Sequence, residues 1–171
     1  MTPDDGNNGD GNNGEQATSG KIGALTWKLE DGTLTITGAG AMPAADWDEA
    51  PWGNEVTKVV IGGGVTEIGE SAFKYQQKLT TVQLANTVTK IGEDAFYNCQ
   101  ALTTINLPGS LTEISAYAFY NCKALTTVNL PGSLTKIGAR AFHSSGLTRI
   151  DIPSGVKTIS EGVFGNFGKF P

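Results

Sequence analysis

Apolar positions recur through the last two-thirds of this chain at a fixed interval. The segment apolar-x-x-apolar-x-apolar occurs five times, as Val56/Val59/Ile61, Leu79/Val82/Leu84, Leu102/Ile105/Leu107, Leu125/Val128/Leu130 and Leu147/Ile150/Ile152. Ile68, Ile91, Ile114, Ile137 and Ile159 follow at steps of 23, 23, 23 and 22, and Phe73, Phe96, Phe119, Phe142 and Phe164 keep the same steps. Units of this length bury an apolar face only by stacking on their neighbours, so the period predicts a solenoid. Its rungs run over 56–78, 79–101, 102–124, 125–146 and 147–171. Within a rung, the alternation predicts one strand, stopped by turns such as Pro108-Gly109 and Pro131-Gly132. A second short extended piece ends at the anchor Ile. The Gly-x-x-Ala-Phe stretch that follows suits a single helical turn, which makes the expected fold a β-rich (α/β) solenoid.

Residues 24 to 38 also alternate, with Leu25, Trp27 and Leu29 on one side of Asp31-Gly32 and Leu34 and Ile36 on the other. Asp-Gly between two such runs signals a tight hairpin. The segment departs from the repeat, so 20–55 is read as a cap over the first rung. Trp47 and Trp52 are expected to cover that end, the alternative being a carbohydrate platform. Residues 1–19 are low in complexity, with Asp5-Gly-Asn-Asn-Gly9 repeated at once as Asp10-Gly-Asn-Asn-Gly14. They read as a flexible linker. A calcium loop counted from Asp4 to Glu15 puts Gly6 at a ligand position and lacks flanking helices.

The stretch from 102 to 122 resembles the BspA-like leucine-rich repeat family, whose pattern is Leu-x-x-Ile-x-Leu-Pro and then Leu-x-x-Ile-Gly-x-x-Ala-Phe-x-x-Cys. Leu25-Thr-Trp27, Gly38-Ala-Gly-Ala-Met42 and Ala50-Pro-Trp52 look like the unit that precedes such repeats. Gln76, Ser145 and Phe167 stand where the family has Cys. The resemblance implies a right-handed superhelix of about five rungs of 22–23 residues behind a β-hairpin cap. It also implies a bacterial surface or secreted protein, an outer-membrane lipoprotein included, of a kind linked to adhesion. The family's motif is structural and names no ligand-binding residue.

Charge narrows the partners. Asp4, Asp5, Asp10 and Glu15 lie ahead of all 12 Lys and Arg, which leaves 13 acids against 12 bases in the rest. A nearly neutral body lacks the basic stripe that nucleic acid requires. No apolar run approaches the roughly 18 residues of a spanning helix. The polar stretch after Met1 is not a signal peptide, so a membrane would be met only through a removed or missing anchor. At the other end, Phe164, Phe167 and Phe170 either fold over the last rung or the natural protein continues past Pro171.

Chemistry is sparse. His143, the single histidine, has Ser144 and Ser145 beside it but no paired carboxylate, and it reads as a solvated outer residue. Cys99 and Cys122 sit one period apart, roughly 5 Å across neighbouring rungs. Packing thiols are the favoured reading, with a disulfide or a metal role as alternatives. Glu67, Lys90, Glu113 and Lys136 alternate in sign beside Thr66, Thr89, Thr112 and Thr135, which reads as register and stability. Residues flanking the middle apolar position of each strand point away from the core. They are Lys58 and Val60, Thr81 and Gln83, Thr104 and Asn106, Thr127 and Asn129, Arg149 and Asp151, expected on the concave face. Tyr97 and Tyr120 form a second, outer patch. The expected function is non-catalytic binding of a protein ligand, a host or bacterial surface protein, at the cell surface or outside it. No cofactor is expected. A spacer for another module, or glycan binding through exposed Trp, are the alternatives.

Overall fold

The computed structural model describes residues 18–44 and 50–165. Residues 1–17, Trp47, Phe167 and Phe170 lie outside the described residues. Three strands open the fold: β1 (Ser19–Ile22), β2 (Leu25–Glu30) and β3 (Thr33–Thr37). Asp31 and Gly32 both adopt positive φ, 47° and 74°, as a two-residue hairpin turn of type I′ requires. The predicted hairpin therefore forms between β2 and β3, with Trp27 facing Ile36 and Leu29 facing Leu34. The added β1 pairs antiparallel with β2. Its Ser-Gly-Lys-Ile sequence carries a single apolar residue and so leaves no alternation to detect.

Two parallel ladders continue from this cap. The first sheet runs β1-β2-β3-β5-β7-β9, adding β5 (Lys58–Ile61), β7 (Thr81–Gln83) and β9 (Thr104–Asn106). Because β3 pairs parallel with β5, Leu34 against Val59 and Ile36 against Ile61, the cap is continuous with the first rung. The second sheet comprises β4 (Gly40–Ala41), β6 (Val65–Ile68), β8 (Lys90–Ile91), β10 (Glu113–Ile114) and β11 (Lys136–Ile137). Ile68, Ile91, Ile114 and Ile137 lie in direct register within it, and a single bridge joins Ile137 to Ile159.

The third side of each rung departs from expectation. Among the described residues there is no helix. Gly-x-x-Ala-Phe instead forms a chain of tight turns, with Ala72 N–H donating to the Gly69 carbonyl, Lys74 to Ser71 and Gln76 to Phe73. Two residues per rung take left-handed backbone: Ser71, Asp94, Tyr117 and Arg140, then Tyr75, Asn98, Asn121 and Ser144, all at φ between 53° and 62°. This alternation turns every second N–H along the stack. Asp94, Phe96 and Asn98 thus donate to carbonyls of Ala116, Ala118 and Tyr120 on the next rung. A helical turn would direct all of these N–H groups back into the rung. The turns close a third hydrogen-bonded ladder, in which left-handed residues cost strain but direct alternate N–H groups to the next rung.

Inside, a column of rings runs the length of the molecule. Phe73, Phe96, Phe119 and Phe142 stack at 5.2–5.3 Å between centroids. Trp52 packs on Phe73 at 5.6 Å and Trp27 on Trp52 at 6.1 Å, which carries the column into the cap. Each of these side chains is at most 2% exposed, and a buried ring contributes roughly 1.5–3 kcal/mol. Gly92 is needed for the close approach between rungs: a Cβ there would lie 2.7 Å from the Ile68 carbonyl oxygen and 2.8 Å from the Glu70 nitrogen. Among the described residues no helix is long and apolar enough to cross a membrane.

Ile114 is fully buried, with Ile91 and Ile137 as its ladder neighbours. Ile114→Asp should lower stability by several kcal/mol and abolish one cooperative urea transition, because every rung shares this core. A melting temperature within a degree or two of wild type would refute the register. Arg140 is an exposed residue at φ 53°. Replacing it with Gly removes a left-handed penalty of about 1–2 kcal/mol and adds about 0.5–1 kcal/mol of chain entropy. Arg140→Gly should therefore stabilise the domain slightly in urea denaturation, and a clear loss would contradict the turn geometry.

Candidate binding surface

The outward side of the first sheet carries two rows. Lys58, Thr81, Thr104 and Thr127 form one, and Val60, Gln83, Asn106 and Asn129 the other, in direct β-ladder register across the first three rungs. Gln83, Thr104, Asn106, Thr127 and Asn129 are exposed, while Lys58, Val60 and Thr81 are half-buried. Arg149 and Asp151 are exposed too and pair with each other at 3.1 Å. The expected residues from Lys58 to Asn129 thus share one face, built in its first three rungs by strands whose alternate side chains, Val59, Val82 and Ile105, enter the core. Beside these rows, Thr57, Thr80 and Thr103 each bond through Oγ1 to a carbonyl one rung back, at 3.0–3.1 Å. Between the rungs of Thr104 and Thr127 lies a cleft of about 240 Å³, bordered by Thr103, Asn106, Val128 and Asn129 among others.

The second surface is the row on the turn side. Tyr97, Tyr120 and His143 stack almost flat, at 4.9 and 5.1 Å and within 6° of parallel, and Tyr75 meets Tyr97 edge-on at 5.6 Å. The Lys74 ammonium lies 4.7 Å from the centre of the Tyr97 ring and 2.7 Å from the Asp94 carboxylate. Burial opposes its charge, but the Asp94 partner outweighs this and raises the Lys74 pKa; burial likewise raises that of Tyr97. Stacked rings cover one another's faces, so this row offers edges and hydroxyls rather than open platforms. His143 joins the row on the outer side, half-buried rather than solvated, with Ser144 Oγ 2.9 Å from its Nδ1.

A groove of about 620 Å³ follows the corner after the anchor isoleucines, between Glu67, Lys90, Glu113 and Lys136 on one wall and Glu70 and Glu93 on the other. The alternating charges adjoin in the ladder, and Lys136 pairs with Glu113 at 3.0 Å. Partial burial would raise the Glu113 pKa, yet Lys136 and its neighbours hold it below the ordinary carboxylate value. Thr89, Thr112 and Thr135 here also bond to the backbone of the preceding rung, at 3.1–3.2 Å.

Trp52 takes the expected capping place, which removes the sugar-platform alternative for this residue. It is fully buried in the ring column, so it caps the stack and offers no face to a sugar.

A family model for the BspA type leucine rich repeat region matches residues 52–169 in six copies, one more than the rungs counted from the isoleucines. The chain belongs to the BspA-type leucine-rich repeat family. Among solved structures it is similar to a leucine-rich repeat protein from Eubacterium ventriosum, with 33% identity and a TM-score of 0.74 over 82% of this chain. A second, from Bacteroides ovatus, shares 30% identity with a TM-score of 0.64 over 85%. This chain spans 38% of the length of each. A leucine rich cell surface protein from Faecalibacterium prausnitzii is 26% identical, with a TM-score of 0.59 over 88% of this chain and 52% of that one. No curated protein matches the sequence.

The BspA-type cysteine position explains itself in this structure. Cys99 and Cys122 are free and fully buried, and their thiols donate to the carbonyls of Phe73 and Phe96 at 3.0 and 3.2 Å. Burial pushes the Cys99 pKa up to about 12, and burial together with Cys99 raises that of Cys122. In the first rung Gln76 takes the place and donates to the Gly53 carbonyl at 2.7 Å, which ties the solenoid to its cap. A thiol whose folded pKa lies above the unfolded value of about 8.5 contributes fully below that pH and loses its contribution as pH rises toward 12. Wild type should therefore lose stability between pH 9 and 10.5 faster than Cys99→Ala/Cys122→Ala, by up to about 1.4 kcal/mol per pH unit for each thiol. Equal slopes in urea titrations would mean that the thiols ionise normally in the fold.

Proposed function

We propose that this chain is a non-catalytic protein-binding module at a bacterial cell surface, and that it engages its ligand through the outward face of the first sheet. The supporting observation is that face itself: two rows rich in threonine and amide side chains, held by hydrogen-bonded strands through its first three rungs. Uncharged hydroxyls and amides on a rigid ladder can pair with a polypeptide surface without first losing an ion pair of their own. A solenoid also presents such a face over several rungs, which suits a large partner. The surface location rests on the family and on a similar protein described as a cell surface protein. The chemistry offers little for catalysis: both thiols are buried and protonated at neutral pH, and among the described residues His143 contacts a serine and a tyrosine but no carboxylate.

Screening the folded domain against extracellular-matrix and bacterial surface proteins, with a glycan array in parallel, tests the reading. Saturable binding to a protein is expected. Gln83→Arg/Asn106→Arg should weaken it at least tenfold, about 1.4 kcal/mol, with the melting temperature unchanged. Binding to glycans alone would overturn the proposal, and so would protein binding that ignores this double variant. An inert domain would point to a spacer.

A further inference from the structure

The first sheet stops being a sheet at β9. Thr80 donates its N–H to the Thr57 carbonyl, and Thr103 and Thr104 donate theirs to the Thr80 carbonyl. One period later the equivalent donors are Thr126 and Thr127, and no backbone bond joins them to Thr103. The hydroxyl bond that Thr80 and Thr103 make to the preceding rung also has no counterpart at Thr126. Residues 127–129 form no strand, although Thr-Val-Asn matches the Thr-Ile-Asn of β9. Exposure agrees: Val59 and Val82 are fully buried, whereas Ile105 and Val128 are each 8% exposed. The cleft of about 240 Å³ lies at this break.

The opening is confined to one of the three sides. Between the same two rungs, Ile114 pairs with Ile137, Thr135 N–H reaches the Thr112 carbonyl at 2.9 Å and Asn121 N–H reaches the His143 carbonyl at 2.9 Å. Phe119 and Phe142 stay stacked at 5.2 Å. The rungs are thus hinged apart at the strand side while their other sides hold.

The lips of the cleft are main chain. Thr104 N–H points to the preceding rung, so the alternation of a parallel ladder turns the N–H and C=O of Ile105 toward the opening. On the facing lip, the same alternation presents Thr127 and Asn129. Around them stand uncharged side chains, Thr103, Thr104, Asn106, Thr127 and Asn129, and no aromatic ring borders the cleft.

We propose that this break is a docking slot for an extended, uncharged polypeptide segment, which adds to the β9 edge through the main-chain groups of Ile105 and is flanked by Thr127 and Asn129. This rests on the protein-binding reading above and narrows it to one place and one mode. Unpaired strand groups are the complement of another strand. A glycan would want a stacking ring, and a charged segment would want a counter-charge; the cleft supplies neither. Its volume falls below the roughly 300–1,000 Å³ of a typical small-molecule pocket, which suits a narrow backbone with small side chains.

Amide hydrogen exchange on the intact chain tests the slot directly. Before any peptide is added, Ile105 should exchange at least about 100-fold faster than Val82. An array of short capped peptides of Gly, Ala, Ser, Thr and Val then serves as the probe. Peptides that bind should slow Ile105 and Asn129 exchange at least tenfold, and N-methylation of alternate peptide amides should abolish binding. Protection of Ile105 in the free chain would overturn the proposal, because the ladder would then be closed. An array without binders, or binders that leave Ile105 unprotected, would also overturn it. Concentration-dependent protection without peptide would assign the slot to a second copy instead, and a glycan that protects these amides would assign it to sugar. If a protein partner depends on Gln83 and Asn106 yet leaves Ile105 exchange unchanged, the slot falls while the broader reading stands.

Discussion

Successive turns of this chain have to meet at equivalent peptide groups, on three sides in the early rungs and on two between the rungs of Thr104 and Thr127. That requirement keeps the spacing nearly constant, at 23 residues for three steps and 22 for the last, where Ile137 still bridges Ile159. It explains why glycine floors the corner at Gly92, where backbone passes within contact distance of backbone. It also explains the left-handed residues on the turn side, which are unfavourable one by one and necessary together. The ring column and the isoleucine ladder supply most of the apolar burial, but they repeat because the hydrogen bonds repeat. A single rung would have neither.

The architecture was legible because its signal was repeated. The anchor isoleucines and phenylalanines located every rung, and Asp31-Gly32 located the hairpin. The helical turn was misread for a physical reason: Gly-x-x-Ala-Phe has the spacing of one turn of helix, and a left-handed residue leaves no apolar trace. The available hint was polar, since Asp94, Asn98 and Asn121 are residue types that tolerate that conformation, while Tyr75, Tyr117 and Arg140 in the equivalent places obscured it. Strand β1 escaped for want of alternation. Trp52 reads as a cap because its loop follows the atypical first unit, and it is buried there.

The candidate surface was only half legible. Period-two alternation is enough to say that Gln83, Thr104 and Asn129 face outward, and they do. It cannot say whether two rungs of nearly identical sequence remain paired. Thr104-Ile-Asn106 is a strand and Thr127-Val-Asn129 is not, although the two differ by one methylene. That difference lies in how the rungs stack rather than in the local residues.

The turn side has one further property. Its bonds between rungs all run the same way, from an N–H on one rung to a carbonyl on the rung that follows in sequence. Peptide dipoles in an ordinary sheet largely cancel. Here one edge of the molecule lines them up head to tail, with the hydrogen end toward the later rungs, opposite in sense to an α-helix. The solenoid is therefore electrically directional along that edge. A mirror-like end-to-end contact would set like poles together on that side, whereas a head-to-tail contact would continue the series. The two ends of the array are different objects even where the side chains on them match.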